Sequence, residues 1–371
     1  MEISQPHEDD DKSDNHQKQE KDESGIQMKE NPQREDLQLV LEIVDDLKED
    51  GIIGDQWTQL ALKNKSSFVI GTSRRGLILV ENGKEIYSGK LPGNSAYLGD
   101  IVYLPCLNSY ILDYAKKLYR KDINNKPPYL YLCLKGSNSP GTSLAYSPMN
   151  QRLILNKDRE SFVVINPKTN KLGIELKKQV GNQIVGFRMF GHREDRIICL
   201  TYDCFVIISS LLRDKTRGVK THFKIRIPEG KSEMAESLGI CDRHEFVLVE
   251  IRNRENSTCS RMLILRYEGE KFTITTSLDF SNQMLGYKLA LGCFGYLGTR
   301  IIWVGLARGG VARGGMAHLY DFDTKTGELR ELTDKRLNHI EQLVFKLHPL
   351  NGHFYYTGNC GQFMKLSLIV N

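Results

Sequence analysis

The chain has 371 residues, with 51 Lys and Arg against 46 Asp and Glu, a formal net charge of +5 and 40% hydrophobic residues. This is the balance of a folded globular protein rather than a wholly disordered one, and no run of 18 apolar residues offers a membrane-spanning helix. The eight cysteines form no Cys-x-x-Cys pair, which argues against a zinc or thioredoxin-like framework and fits reduced thiols in an intracellular protein.

Charge is unevenly distributed. Residues 1–50 carry 17 acidic and 6 basic side chains, a net −11, so residues 51–371 hold +16. Residues 1–36 are polar and nearly free of aromatic side chains, and they read as a disordered acidic tail. They lack the apolar stretch of a signal or transit peptide, so the expected location is cytoplasmic or nuclear.

The next segment has two readings. Leu37, Leu39, Leu41 and Ile43 alternate as in a strand over 37–44, while Leu37, Val40, Leu41, Val44 and Leu47 fit a helical period. The acids from Asp45 to Asp50 suit a helix C-terminus poorly, which favours the strand.

From about residue 55 to the end, short strand-like runs bounded by turn residues come in groups of four, with a period of about 40–50 residues. The clearest group is 142–179. Leu144 and Tyr146 lead into the turn Ser147-Pro148-Met149-Asn150. Arg152 to Asn156 alternates, Phe162 to Ile165 is a buried aromatic and β-branched run, and Asn166 to Asn170 is a turn cluster before a polar strand over 172–176. The other groups are 55–92, 93–135, 181–229, 233–280, 287–334 and 339–371. The last stops after three strands and leaves an open edge, for which 37–44 is the expected donor.

The run SPMNQRLILNKDRESFVVINPKTNKLGIEL resembles a WD40 repeat, with Ile165-Asn166 where the Trp-Asp pair would stand. A second copy includes RIIWVGLA and MAHLYDFDTKTGELREL, with Tyr320-Asp321 taken as the Trp-Asp equivalent and Thr326-Gly327 as the turn into the outer strand. The Gly-His pair that precedes such repeats is absent at that position, and Gly191-His192 and Gly352-His353 fall in turns instead. The family's structural hydrogen-bond network is therefore not transferred. The resemblance covers about residues 55–371 and implies an all-β, seven-bladed β-propeller of four-stranded antiparallel blades. The domain division is then a tail over 1–36 and a propeller over 37–371, closed by the 37–44 strand.

Signatures of chemistry are sparse. There is no Gly-x-Ser-x-Gly elbow. Gly230-Lys231-Ser232 resembles the end of a phosphate loop, but the required first glycine position holds Ile225. Gly292, Gly295 and Gly298 do not have dinucleotide-binding spacing. His348 and His353 flank a turn rather than forming a zinc set. Asp321 and Asp323 sit at a turn corner, where an acid caps backbone amides. Trp303 and Phe162 are expected core anchors. The expectation is a protein without catalytic residues, cofactor or metal.

What remains is basic surface. Lys116, Lys117, Arg120 and Lys121 precede the insertion DINNKPP. Arg213, Lys215, Arg217 and Lys220 run through a loop and outer strand. Arg308 and Arg313 each begin an Arg-Gly-Gly triplet. Guanidinium groups on flexible glycines suit phosphate and single-stranded RNA. Arg74-Arg75-Gly76 resembles the signature of phosphoinositide-binding propellers, but Ser73 replaces its Phe, and no lipid site is carried over. The leading expectation is a non-catalytic scaffold that docks other proteins as a subunit of a larger complex. The alternatives are a propeller binding RNA or another polyanion through these loops, and an enzyme with a site at the channel mouth.

Overall fold

The computed structural model describes residues 37–46, 57–64, 66–72, 76–91, 98–114, 117–133, 144–156, 161–177, 183–190, 196–211, 219–227, 230, 232–240, 245–255, 259–268, 271–280, 290–296, 300–307, 316–332, 346–348, 353–357 and 362–370. The expected tail over 1–36 lies outside them. Every regular element among the described residues is a β-strand, and no helix occurs among them. The fold is all-β.

Strand β1 (Leu37–Asp46) precedes the repeats. The first sheet is β2 (Trp57–Asn64), β3 (Ser67–Thr72), β4 (Leu77–Glu81) and β5 (Lys84–Gly89). The second is β6 (Leu98–Leu104), β7 (Ser109–Tyr114), β8 (Lys117–Asp122) and β9 (Tyr129–Cys133). The third is β10 (Leu144–Ser147), β11 (Arg152–Asn156), β12 (Ser161–Asn166) and β13 (Lys171–Lys177). The fourth is β14 (Ile184–Phe190), β15 (Arg196–Thr201), β16 (Phe205–Leu211) and β17 (Val219–Arg226). The fifth is β18 (Glu233–Ile240), β19 (Phe246–Asn253), β20 (Cys259–Glu268) and β21 (Lys271–Asp279). The sixth is β22 (Ala290–Tyr296), β23 (Arg300–Ala307), β24 (Met316–Asp323) and β25 (Leu329–Leu332). The last three strands are β26 (Lys346–His348), β27 (His353–Thr357) and β28 (Gln362–Val370). Six sheets are simple antiparallel meanders in chain order, and the seventh has the order β1-β28-β27-β26.

The two-way reading of 37–44 resolves as a strand. β1 runs antiparallel to β28 from Leu37↔Val370 to Asp46↔Gln362, with one irregularity between Ile43 and Asp45. The first and last described strands of the chain therefore share one sheet, and the edge that the last three strands would leave open is paired.

The seven sheets among the described residues remain separate, and none closes on itself. Their first strands pack side by side in a cycle: β2 on β6, β6 on β10, β10 on β14, β14 on β18, β18 on β22, β22 on β26, and β26 back on β2. The core lies between consecutive sheets. Leu79 of the first sheet meets Tyr110 of the second. Leu118 of the second shares a cluster with Leu155 of the third, and Ile154 of the third with Ile197 of the fourth. Val206 of the fourth packs with Val249 of the fifth, and Ile264 of the fifth with Trp303 of the sixth.

This arrangement explains the continuous apolar runs in the second and third strands. In β19, Phe246 and Leu248 face one neighbouring sheet while Val247, Val249 and Ile251 face the other. A strand covered on both sides has no polar face to alternate with. Trp303 and Phe162 are buried, as expected.

Polar links join neighbouring sheets as well. Gln59 Nε2 donates to the Gly99 carbonyl at 2.8 Å, and the Leu144 amide donates to Asp100 Oδ2 at 3.0 Å. Tyr131 donates its hydroxyl to the Pro167 carbonyl at 2.8 Å.

The turns follow their residues. Asn82-Gly83 both have positive φ, 52° and 75°, the signature of a type I′ hairpin. In the third sheet Asn166 Oδ1 accepts the Lys168 amide at 3.1 Å, and Asn170 takes φ 55° before the next strand. In the sixth sheet Asp323 Oδ1 accepts the Lys325 amide at 2.8 Å, and Gly327 takes φ 71°. Asp323 is thus the counterpart of Asn166 at the head of its turn. Asp321 is instead buried within β24. The reason is spacing: the left-handed residue falls four positions after the cap in both turns.

Candidate interaction surface

The first basic segment lies mainly on β8, between β7 and β9. Its described residues do not form one patch. Lys117, at the start of the strand, is exposed and paired in register with Cys133 of β9. Arg120 is half-buried. Its Nε donates to Asp122 Oδ1 at 2.7 Å, and its guanidinium carbon lies 6.0 Å from the centroid of the Tyr129 ring. Tyr129 in turn donates its hydroxyl toward Asp122 Oδ2 at 3.4 Å. The charge of Arg120 is matched locally by Asp122. Lys116 lies outside the described residues.

Lys121 corrects the sequence expectation most clearly. Expected at the surface with its basic neighbours, it is fully buried. Its Nζ donates to the Asp122 carbonyl at 2.8 Å and to the Asn124 carbonyl at 2.6 Å. It also lies 4.4 Å from the centroid of the Tyr87 ring in the first sheet. Burial pulls the ammonium down to about 8, against an opposing contribution from Asp122 that raises it. The physical reason is packing: Lys121 shares a strand face with Tyr119, which packs against the first sheet, and the Tyr87 ring of that sheet covers its ammonium. It gathers two carbonyls of the DINNKPP connection.

The second segment is only partly described. Lys220 lies on β17, opposite Ser210 of β16. On the same strand Lys224 is exposed, with its Nζ 3.9 Å from the Phe205 ring centroid, a cation–π contact. Arg213, Lys215 and Arg217 fall between β16 and β17, outside the described residues. So do Arg308 and Arg313, which fall between Ala307 and Met316, two residues paired at the ends of β23 and β24.

Other polar groups serve the scaffold. The Glu233 carboxylate receives the Gly230 amide at 2.7 Å, the Ser260 hydroxyl at 2.8 Å and Arg261 Nη2 at 2.6 Å. Burial works to raise its pKa, but the hydrogen bonds from Arg261, Gly230 and Ser260 and the charge of Arg261 outweigh it and hold the carboxyl below its ordinary range. The Gly230 amide, the one phosphate-loop-like feature of the sequence, is therefore committed to this carboxylate. Cys199 and Cys204, close in sequence, are both free thiols. His348 and His353 are register partners across β26 and β27.

One surface feature was not legible in the sequence. Tyr129 and Leu130, adjacent on β9, are 46% and 51% exposed. The run YLYLC reads as an ordinary buried strand, and only its place at the outer edge of the second sheet exposes it. The absence of any charge within the run was the available signal.

No protein-family model matches the chain, and no curated protein matches it.

Proposed function

We propose that the protein is a non-catalytic, WD40-like scaffold: a seven-bladed propeller that docks other proteins as a subunit of a larger intracellular complex. The observation that carries this reading is the cycle of first strands, β2 through β26 and back to β2, together with the pairing of β1 on β28. Seven four-stranded antiparallel sheets, six of them meanders, packed face to face in such a cycle suit a propeller whose last blade is completed by the N-terminal strand. Each blade rests only on its two neighbours, so connecting loops can vary without disturbing the core. A rigid ring with variable loops is suited to holding several partners at fixed positions.

The same geometry weighs against a single polyanion track over the three basic segments. Among the described basic residues, Lys121 is buried, Arg120 is matched by Asp122 and Lys224 rests on the Phe205 ring, so they offer no continuous track.

The test is affinity capture of the tagged full-length chain from its own cells, with and without nuclease, read by mass spectrometry. A stoichiometric, nuclease-resistant set of proteins is the expected result. Capture that collapses on nuclease treatment overturns the scaffold reading in favour of nucleic-acid binding.

A further inference from the structure

The outer strands of a ring of sheets present their free backbone edges outward, and such edges pair with foreign strands unless something blocks them. Six of the seven outer strands among the described residues carry that protection in their sequence. β5 has Lys84 and Glu85, β13 has Lys171, Glu175 and Lys177, and β17 has Lys220, Lys224 and Arg226. β21 has Lys271 and Asp279, β25 has Arg330 and Glu331, and β1 has Glu42, Asp45 and Asp46. β9, Tyr129–Cys133, has no charged residue. It is also where Tyr129 and Leu130, consecutive residues on opposite faces of the strand, stand exposed.

The edge is held rigidly from behind. Tyr131 is the extra residue of a bulge, since Leu130 pairs with Tyr119 and Leu132 with Leu118. Its side chain turns inward, and its hydroxyl is donated to the Pro167 carbonyl of the third sheet. The connection leading into the strand is gathered by the buried Lys121 ammonium through the carbonyls of Asp122 and Asn124. Little ordering is left for a partner to impose, which lowers the cost of binding. The bulge and the five-residue length limit the edge to a short guest, about 17 Å of extended chain.

Charge selects the guest. Exposed lysines stand at both ends of the strand: Lys126 just before it, and Lys117 opposite Cys133 at its far end. Arg120 between them is matched by Asp122. A second copy of this chain paired edge to edge would bring these lysines against their own kind.

We propose that β9 is a docking edge for an extended segment of a partner protein, added as a fifth antiparallel or parallel strand, with apolar or β-branched residues in its middle and acidic residues at both ends. Main-chain hydrogen bonds supply the pairing, Tyr129 and Leu130 the apolar contact, and Lys117 and Lys126 the register. The proposal deepens the scaffold reading and rests on it.

The experiment uses the full-length chain and a fluorescein-labelled probe peptide, Glu-Val-Thr-Val-Thr-Val-Asp, in a polarisation titration, with hydrogen exchange read at the amides of 129–133. The expected result is saturable binding that weakens with salt and slows exchange in β9. Leu130→Asp, at an exposed position, should weaken binding by about tenfold or more, and Lys117→Glu with Lys126→Glu should do the same while removing the salt dependence. Absence of binding, or binding that leaves β9 exchange unchanged, overturns the proposal. So does protection of β9 that appears without peptide and grows with protein concentration, which would assign the edge to a second copy. Affinity capture with wild type and Leu130→Asp separates the two levels: an intact captured set with no β9 protection removes the docking edge and leaves the scaffold, whereas no captured set from either removes the scaffold itself.

Discussion

Phe162 of β12 and Phe187 of β14 meet edge to face across the third and fourth sheets, with ring centroids 5.0 Å apart and planes at 68°. Both rings are buried, and each belongs to a different repeat. The contact typifies how this molecule is held: its sheets are joined by side chains, not by a common hydrogen-bond ladder.

Truncating such a ring removes the link between two sheets and leaves a cavity. Phe162→Ala should destabilise the chain by about 3–5 kcal/mol. The same holds for Trp303→Ala, because Trp303 is stacked on Tyr320 at 5.5 Å and 24° within the cluster between the fifth and sixth sheets. Denaturant unfolding measures both. A loss below about 1 kcal/mol at either position would contradict the inward placement of these rings.

The pairing of β1 with β28 makes a second expectation. Removing residues 1–33 should leave stability within about 0.5 kcal/mol, whereas removing residues 1–46 should cost at least about 3 kcal/mol, because the latter strips the partner from β28. The shorter chain should also associate through the exposed β28 edge, visible by light scattering. Equal melting of the two truncated chains would show that the seam contributes nothing.

Lys121 predicts a pH dependence. Its pKa is lowered from 10.5 to about 8 by burial, despite the opposing effect of Asp122. Between those values the unfolded chain holds the proton more tightly than the folded one, so stability contributed through this group rises as pH rises. Below about pH 8 the lysine is charged in both states and the cost of burying the charge is present in full. Measured against Lys121→Met, the wild type should gain on the order of 2–3 kcal/mol from pH 7 to pH 10.5. A flat difference across that window would place the ammonium in water.

The cysteines should differ in reactivity. Cys133 is exposed at the end of β9, while Cys199 and Cys259 are buried with thiols pushed up by burial, Cys199 to about 12. Because the thiolate is the reactive species, brief maleimide labelling of the native chain should modify Cys133 before Cys199 and Cys259. Peptide mapping reads the order, and early labelling of Cys199 would mean the fourth sheet opens readily.

Much of this architecture is written locally. The turn residues Asn82-Gly83, Pro148 and Asn166 to Asn170 and the apolar runs between them mark the strands, because strand and turn preferences act over a few residues. The repeat period places the strands in groups of four, and the missing fourth strand at the end points to 37–44. Local pattern did not settle whether 37–44 is a strand or a helix, since its leucines serve both periods; pairing with 362–370, at the other end of the chain, decides it. Tertiary structure alone decided the rest. Lys117 and Lys121 look equivalent in sequence and share one face of β8, yet Lys117 is exposed at the strand's start while the first sheet covers Lys121 with Tyr87. Tyr129 and Leu130 look like core residues, yet their strand lies at the edge of its sheet. Burial is a property of neighbours, and in this chain the residues that cover a strand's faces belong to the sheets before and after it.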